Sequence, residues 1–189
     1  MRKEKDSADR LAAYSDGVFA VIVTIMVLEL KAPEQSTFSV LWPLWPTAVS
    51  YMVSYVFIAI IWINHHYLMR FVGAPTLKLM WMNFVHLFMV SLLPFATAWV
   101  ARTQLASSSV AFYAGLFVCV DVAYNIFERE VLRHADVTQR VQNAARRRSL
   151  VALAIFTRAM LAALLIPLLG FFLICVALVL HLRPDITDQ

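Results

Sequence analysis

The stretch Arg10-Leu-Ala-Ala-Tyr14-Ser15-Asp16-Gly17-Val-Phe-Ala-Val21-Ile-Val-Thr24-Ile25-Met-Val-Leu28-Glu-Leu30 decides the fold, because it sets an arginine, a serine and an aspartate at the mouth of a long apolar run. An ionised carboxylate entering hydrocarbon costs roughly 2.5 to 3.5 kcal/mol even on the mild insertion scale, so Asp16 is expected to face protein or water and to have partners. The plainer alternative is that Arg10 and Asp16 end the span at the headgroups. Intramembrane ionisable groups usually carry a function, which favours the first reading.

Working outward, the chain of 189 residues is 61% hydrophobic and 15% charged, against roughly 25% charged in ordinary soluble domains. It reads as one all-α membrane domain over 1–189. Apolar runs near the roughly 20 residues needed to cross a bilayer recur at about 9–30, 44–65, 77–100, 106–127, 149–166 and 167–183. The last two share the stretch Leu150–Leu182, interrupted by Arg158, Pro167, Gly170 and His181. As a single helix that stretch would measure about 50 Å against a hydrocarbon core of about 30 Å. Pro167 and Gly170 are therefore expected to mark a tight turn between two short spans.

Six spans place thirteen of the sixteen lysines and arginines on one side: Arg2, Lys3, Lys5, Arg10, Arg70, Lys78, Arg129, Arg133, Arg140, Arg146, Arg147, Arg148 and Arg183. Short cytoplasmic loops carry this excess, so both termini are expected in the cytoplasm. The basic balance is thereby explained without nucleic acid, although Arg146-Arg147-Arg148 also suits anionic headgroups. Cys119 and Cys175 fall in spans and read as small buried apolar residues. The N-terminus is charged but lacks a small-residue cleavage site after a short apolar core, so the first span is expected to remain. Segment 128–148 alternates in sign through Glu128, Arg129, Glu130, Arg133 and Asp136, and reads as a solvated extension of the fourth helix. Trp42, Trp45, Trp81 and Trp99 near span ends suit interfacial anchoring.

At about 100° per residue, Gly17, Val21, Thr24 and Leu28 fall within an arc of roughly 60° on the first helix. Such a stripe serves either a narrow conduit or a helix-packing seam with glycine allowing close approach; taken alone, it favours packing two to one. Arg10 lies about 120° around the helix from Asp16, so it is expected to meet a neighbouring helix or subunit instead of pairing directly. Asp121 and Arg158 are the two further charges inside spans, and pairing them would let each persist in hydrocarbon.

The pattern Arg10-x-x-x-Tyr14-Ser15-Asp16 at the start of a first membrane helix resembles the signature of the transmembrane protein 175 family, endosomal and lysosomal potassium channels with short prokaryotic relatives. Tyrosine stands where the family usually has phenylalanine. Trp62-x-Asn64-His65-His66 and Trp81-x-Asn83-x-x-His86-Leu87-Phe88, followed by Ser91-Leu-Leu-Pro94-Phe95, look like the family's second and third helices. The resemblance covers residues 9–100 and is thin beyond.

It implies a homotetramer whose first helices line a central pore, since one copy of that helix cannot enclose a conduit and closed symmetry is the expected solution. It puts the apolar constrictions at Val21 and Leu28, a hydroxyl at Thr24, and a second apolar candidate at Ile25. Valine is smaller than the usual isoleucine or leucine, which widens Val21 or moves the narrowest point to Leu28. No Thr-Val-Gly-Tyr-Gly filter is present, so modest potassium selectivity would come from a narrow apolar ring with a nearby hydroxyl. Arg10, Tyr14, Ser15 and Asp16 form the anchor, supported by hydrogen bonds from Asn64, His65, His66, Asn83 and His86.

The expected function is passive conduction of potassium in the cell membrane of a prokaryote. Its partners are further copies of itself in the homotetramer, the lipid bilayer and monovalent cations, with no metal or cofactor beyond permeant potassium in the pore. The alternatives are a proton leak channel or a proton-coupled secondary transporter relaying through Asp16, His65, His66 and His86. Transporters usually show repeats or broken helices at mid-membrane, and the first helix has no proline. Catalysis is not expected, because no nucleophile with a base and no ligand set appears.

Overall fold

In the computed structural model, residues 2–135 and 137–181 are described, and they are helical almost throughout. The helices are α1 (Arg2–Leu28), α2 (Trp45–Met69), α3 (Leu77–Ser91), α4 (Leu93–Arg102), α5 (Ser107–His134), α6 (Gln139–Leu165) and α7 (Pro167–His181), with a short 3-10 helix, Phe38–Leu44, ahead of α2. Because α3 and α4 are halves of one apolar segment, the described residues form six apolar helical segments. Five are long and apolar enough to cross a membrane, and the last, Pro167–Val179, is a shorter apolar helix. Asp136, Arg183 and the end of the span expected at 167–183 lie outside the described residues.

The third span bends because Pro94 has no N–H for the carbonyl four residues back, and its ring crowds that carbonyl. The helix pauses at Leu92 and restarts, with the Ala96 N–H bonding to the Leu92 carbonyl at 3.2 Å. A second break falls between α6 and α7, where Ile166 is extended and Pro167 opens the next helix. The turn is thus tighter than the sequence suggests and Gly170 is not part of it. Gly170 lies inside α7, where a Cβ would sit 2.5 Å from the Ala163 Cβ and 2.7 Å from the Ala159 carbonyl oxygen. Its missing side chain lets α7 fold back tightly along α6.

α5 is the centre of the bundle, packing against α3, α4, α6 and α7, while α1 packs on α2, α3 and α4. Phe57 of α2 stacks on Phe117 of α5 at 3.7 Å between ring centroids, and Phe156 of α6 meets both edge-on. Deep in this core the Ser54 hydroxyl meets Thr97 and Tyr113, joining α2, α4 and α5. Lipid tails supply no apolar drive for helix association, so such interhelical bonds carry part of the packing.

Three readings of the sequence need correction. The helix does continue through 128–134, but Glu128 and Glu130 are buried. They pair with Arg148 of α6 and Lys78 of α3, at 2.8 and 2.9 Å. Arg158 is exposed, and the charges bearing on Asp121 are Glu128 and Arg148, so the expected Asp121–Arg158 pair gives way to a cluster nearer the end of the bundle. Cys119 is exposed on the outer surface of α5.

Candidate functional site

α1 has two faces. Leu11, Ser15, Phe19, Ile22 and Met26 are buried, a spacing of four, four, three and four that keeps one stripe against the bundle. The opposite stripe is uncovered: Gly17 and Thr24 are exposed, and Val21, Ile25 and Leu28 are 56%, 44% and 78% exposed. All the residues expected to line a conduit stand on this bare face. A Cβ added at Gly17 would meet nothing within 4 Å, so among the described residues no contact requires glycine there. The Thr24 hydroxyl donates to the Val21 carbonyl at 2.8 Å, leaving its own lone pairs free on the bare side.

The signature holds the buried face. The Ser15 hydroxyl is fully buried, donates to the Leu11 carbonyl at 2.9 Å and accepts from the Asn83 amide at 3.0 Å. The Asn83 carbonyl oxygen in turn lies 2.8 Å from His65 Nε2, which fixes that nitrogen as the protonated one. One serine, one asparagine and one histidine thereby tie α1 to α3 and α2. Phe19 packs its edge on the His65 ring at 5.6 Å. His65 is also stacked between His86, at 6.1 Å, and Phe127, at 5.7 Å.

Asp16 takes a different partner from those expected. Its Oδ1 accepts from the Trp62 indole N–H at 2.8 Å. Asn64 contributes its backbone carbonyl, which accepts from the Tyr124 hydroxyl of α5 at 3.3 Å. His66 is exposed and lies against the rings of Trp62 and Tyr67. His86 is fully buried, and neither ring nitrogen forms a well-made hydrogen bond; the Val120 backbone interacts with it only weakly. Of the five supporting residues, then, the structure brings Asn83 to Ser15 directly, His65 through Asn83, and His86 by ring packing alone.

Arg10 is exposed on the uncovered side of α1. It lines an open groove with Asp6, Tyr14, Met80 and Phe84, and Tyr14 sets its ring edge-on to Phe84 at 5.4 Å. Trp62 is a contact of the signature that sequence reasoning quoted in its motif without assigning it a partner. The ring is 40% exposed, yet its N–H finds an acceptor, as indole donors commonly do. At the other end of α1, the Arg102 guanidinium bonds to the Glu29 carboxylate at 2.8 Å.

These features define a multi-pass helical membrane protein whose first helix is pinned on one side by a polar signature and left bare on the other. The family model for the endosomal/lysosomal potassium channel TMEM175 matches residues 10–94, the segment from Arg10 to Pro94. A potassium channel of Chryseobacterium sp. is 38% identical over 135 residues, covering 71% of this chain and 70% of that one. One from Chamaesiphon minutus is 30% identical over 147 residues, covering 73% and 70%. The crystal structure of a lysosomal potassium-selective channel TMEM175 homolog from Chamaesiphon minutus superposes with a TM-score of 0.82 at 24% identity, covering 94% of this chain and 97% of that one, and establishes the shared fold. The chain belongs to the TMEM175 potassium channel family.

Proposed function

We propose that this chain is a passive, modestly potassium-selective cation channel, assembled as a homotetramer whose four α1 helices enclose the conduit. The observation that carries this reading is the bare stripe Gly17, Val21, Thr24, Leu28, opposite the face that the signature anchors. A helix pinned so carefully on one side has a use for the other. The membership of potassium channel relatives in the same family supports the choice of ion.

In this arrangement Val21, Ile25 and Leu28 form apolar layers that make entry of water and ions unfavourable, and Thr24 supplies hydroxyl oxygens between them. Potassium sheds water more readily than sodium, so a narrow ring with few polar groups favours it modestly. Arg10 is placed to meet the adjacent subunit across its open groove. The excess of lysine and arginine in the loops on one side supports an orientation with both termini in the cytoplasm of a prokaryotic cell and α1 ending at the outer surface. A proton relay is less well supported, because among the described residues the hydrogen-bonded chain stops at His65 and His86 joins it by ring contact only.

Potassium and sodium flux into liposomes tests the reading. Val21→Asn and Leu28→Asn are expected to raise cation flux and lower potassium preference by wetting the constriction. Val23→Asn, on the half-buried side of α1, is expected to disturb folding without opening the conduit. Intact tetramers with unchanged flux in both stripe variants would remove α1 from the pathway, and a stable monomer or dimer in detergent would remove the pore itself.

A further inference from the structure

We infer that the Glu29–Arg102 ion pair controls cation supply at the outer mouth, with Arg102 acting as a brake on potassium entry; this rests on the proposed α1-lined conduit. Glu29 follows directly on Leu28, the most exposed apolar residue of the bare stripe. Its carboxylate lies 2.8 Å from an Arg102 guanidinium nitrogen, and both side chains are open to solvent, at 41% and 67% exposed. An exposed pair of this kind contributes little to folding. What it does contribute is a fixed cancellation of charge beside the narrow end of the stripe.

Arg102 stands on a rigid post. It is the last residue of α4, and the turn to α5 places Gln104 and Leu105 at φ values of 53° and 63°, a left-handed pair of non-glycine residues. Such a turn is strained and persists only where its surroundings over-determine it. Here Leu105 is buried, its N–H bonds to the Val100 carbonyl at 3.1 Å, and the Thr103 and Ser109 hydroxyls meet at 2.6 Å. The guanidinium is thus held at the end of α1, where the helix's own carbonyls add partial negative charge. Without it, and with Lys31, exposed and two residues on, as the nearest cation in sequence, each subunit would present the Glu29 carboxylate next to its negative helix end. Four of these around a mouth would concentrate cations and raise their entry rate.

Single-channel currents of the reconstituted full-length chain test this, with potassium entering from the Arg102 side in about 0.1 M and about 1 M KCl, where the Debye length is about 10 Å and about 3 Å. Arg102→Gln is expected to raise inward current about twofold or more at the lower salt and to converge on the native current at the higher. Glu29→Gln, which leaves the arginine alone, is expected to lower it under the same conditions. The double variant and Arg102→Lys are expected to return it close to native. Leu28→Asn in the same recordings separates the two levels of the argument. If it alters current while the Arg102 and Glu29 variants do not, the brake is overturned and the conduit stands. If all are silent, the α1 conduit fails first. Equal, salt-independent loss of current in every mouth variant would mark the pair as a structural tie and overturn the brake as well.

Discussion

Asn83 joins three helices through two buried hydrogen bonds, and its removal gives the sharpest test of how α1 is held. Asn83→Ala deletes the donor to Ser15 at 3.0 Å and the acceptor for His65 at 2.8 Å, at a residue with no solvent exposure. Interhelical hydrogen bonds in membrane proteins average about 0.6 kcal/mol and reach about 1.7, so the two together are worth about 1 to 3 kcal/mol. The void left by the amide adds about 1 kcal/mol, for a total of about 2 to 4. Ser15→Ala removes one interhelical bond and no comparable volume, so it should cost about 0.6 to 1.7 kcal/mol. In the Asn83→Ala background the serine has lost its partner already, and Ser15→Ala should cost almost nothing. The measurement is reversible unfolding in mixed micelles by SDS titration, followed by tryptophan fluorescence, on the single and double variants. Ser15→Ala costing the same in both backgrounds would show that the two side chains are not coupled, and an Asn83→Ala protein within about 0.5 kcal/mol of native would show that the anchor lies elsewhere.

The same titration checks three further expectations. His86→Phe should be neutral or stabilising, within about 1.5 kcal/mol, because the ring is fully buried, makes no well-formed hydrogen bond and is replaced by one of similar volume; a loss above about 3 kcal/mol would reveal a polar role. Arg148→Ala should cost about 1 to 3 kcal/mol by leaving the buried Glu128 carboxylate with only a 3.4 Å bond from Tyr124. Glu128→Gln in that background should recover part of the loss. Gly170→Ala should cost about 1 to 3 kcal/mol through the clash with Ala163 and Ala159, whereas Gly17→Ala should leave unfolding unchanged and lower potassium flux in liposomes.

Much of this was legible in the sequence, and the misses share a cause. Long apolar runs fix how many times the chain crosses, because backbone polar groups in lipid must be satisfied within a helix. The grouping of Gly17, Val21, Thr24 and Leu28 was legible from helical turn alone, but that the stripe is bare was not, since taken alone it favoured a packing seam and only the family resemblance turned the reading toward a conduit. Partners distant along the chain were not. Arg146, Arg147 and Arg148 look alike in sequence, and only the phase of α6 selects Arg148 to face Glu128, twenty residues away. Trp62 reads as part of the family-like Trp62-x-Asn64-His65-His66 motif, with no partner of its own, until α2 is laid against α1 and its N–H meets Asp16, forty-six residues distant. Gly170 beside Pro167 reads as turn chemistry, whereas the structure uses it for close approach between α6 and α7.

The placement of the polar contacts on α1 has a mechanical logic. In lipid, a helix gains little by burying apolar surface, so Phe19, Ile22 and Met26 alone would not hold α1 in one rotation. Rotating it by one residue, about 100°, would carry Val21 and Leu28 off the uncovered face. The directional contacts that resist that rotation are those near the start of the span, buried Ser15 and half-buried Asp16 on Asn83 and Trp62, whereas the exposed Glu29–Arg102 pair at the other end contributes little to holding. The stripe from Gly17 to Leu28 makes few demands on the chain itself. Holding and conducting are therefore assigned to different contacts. Loosening the Asn83 end should blur the rotation and weaken assembly, whereas changing the Arg102 end should alter the field at the mouth while the hydrogen-bonded end keeps the stripe in register.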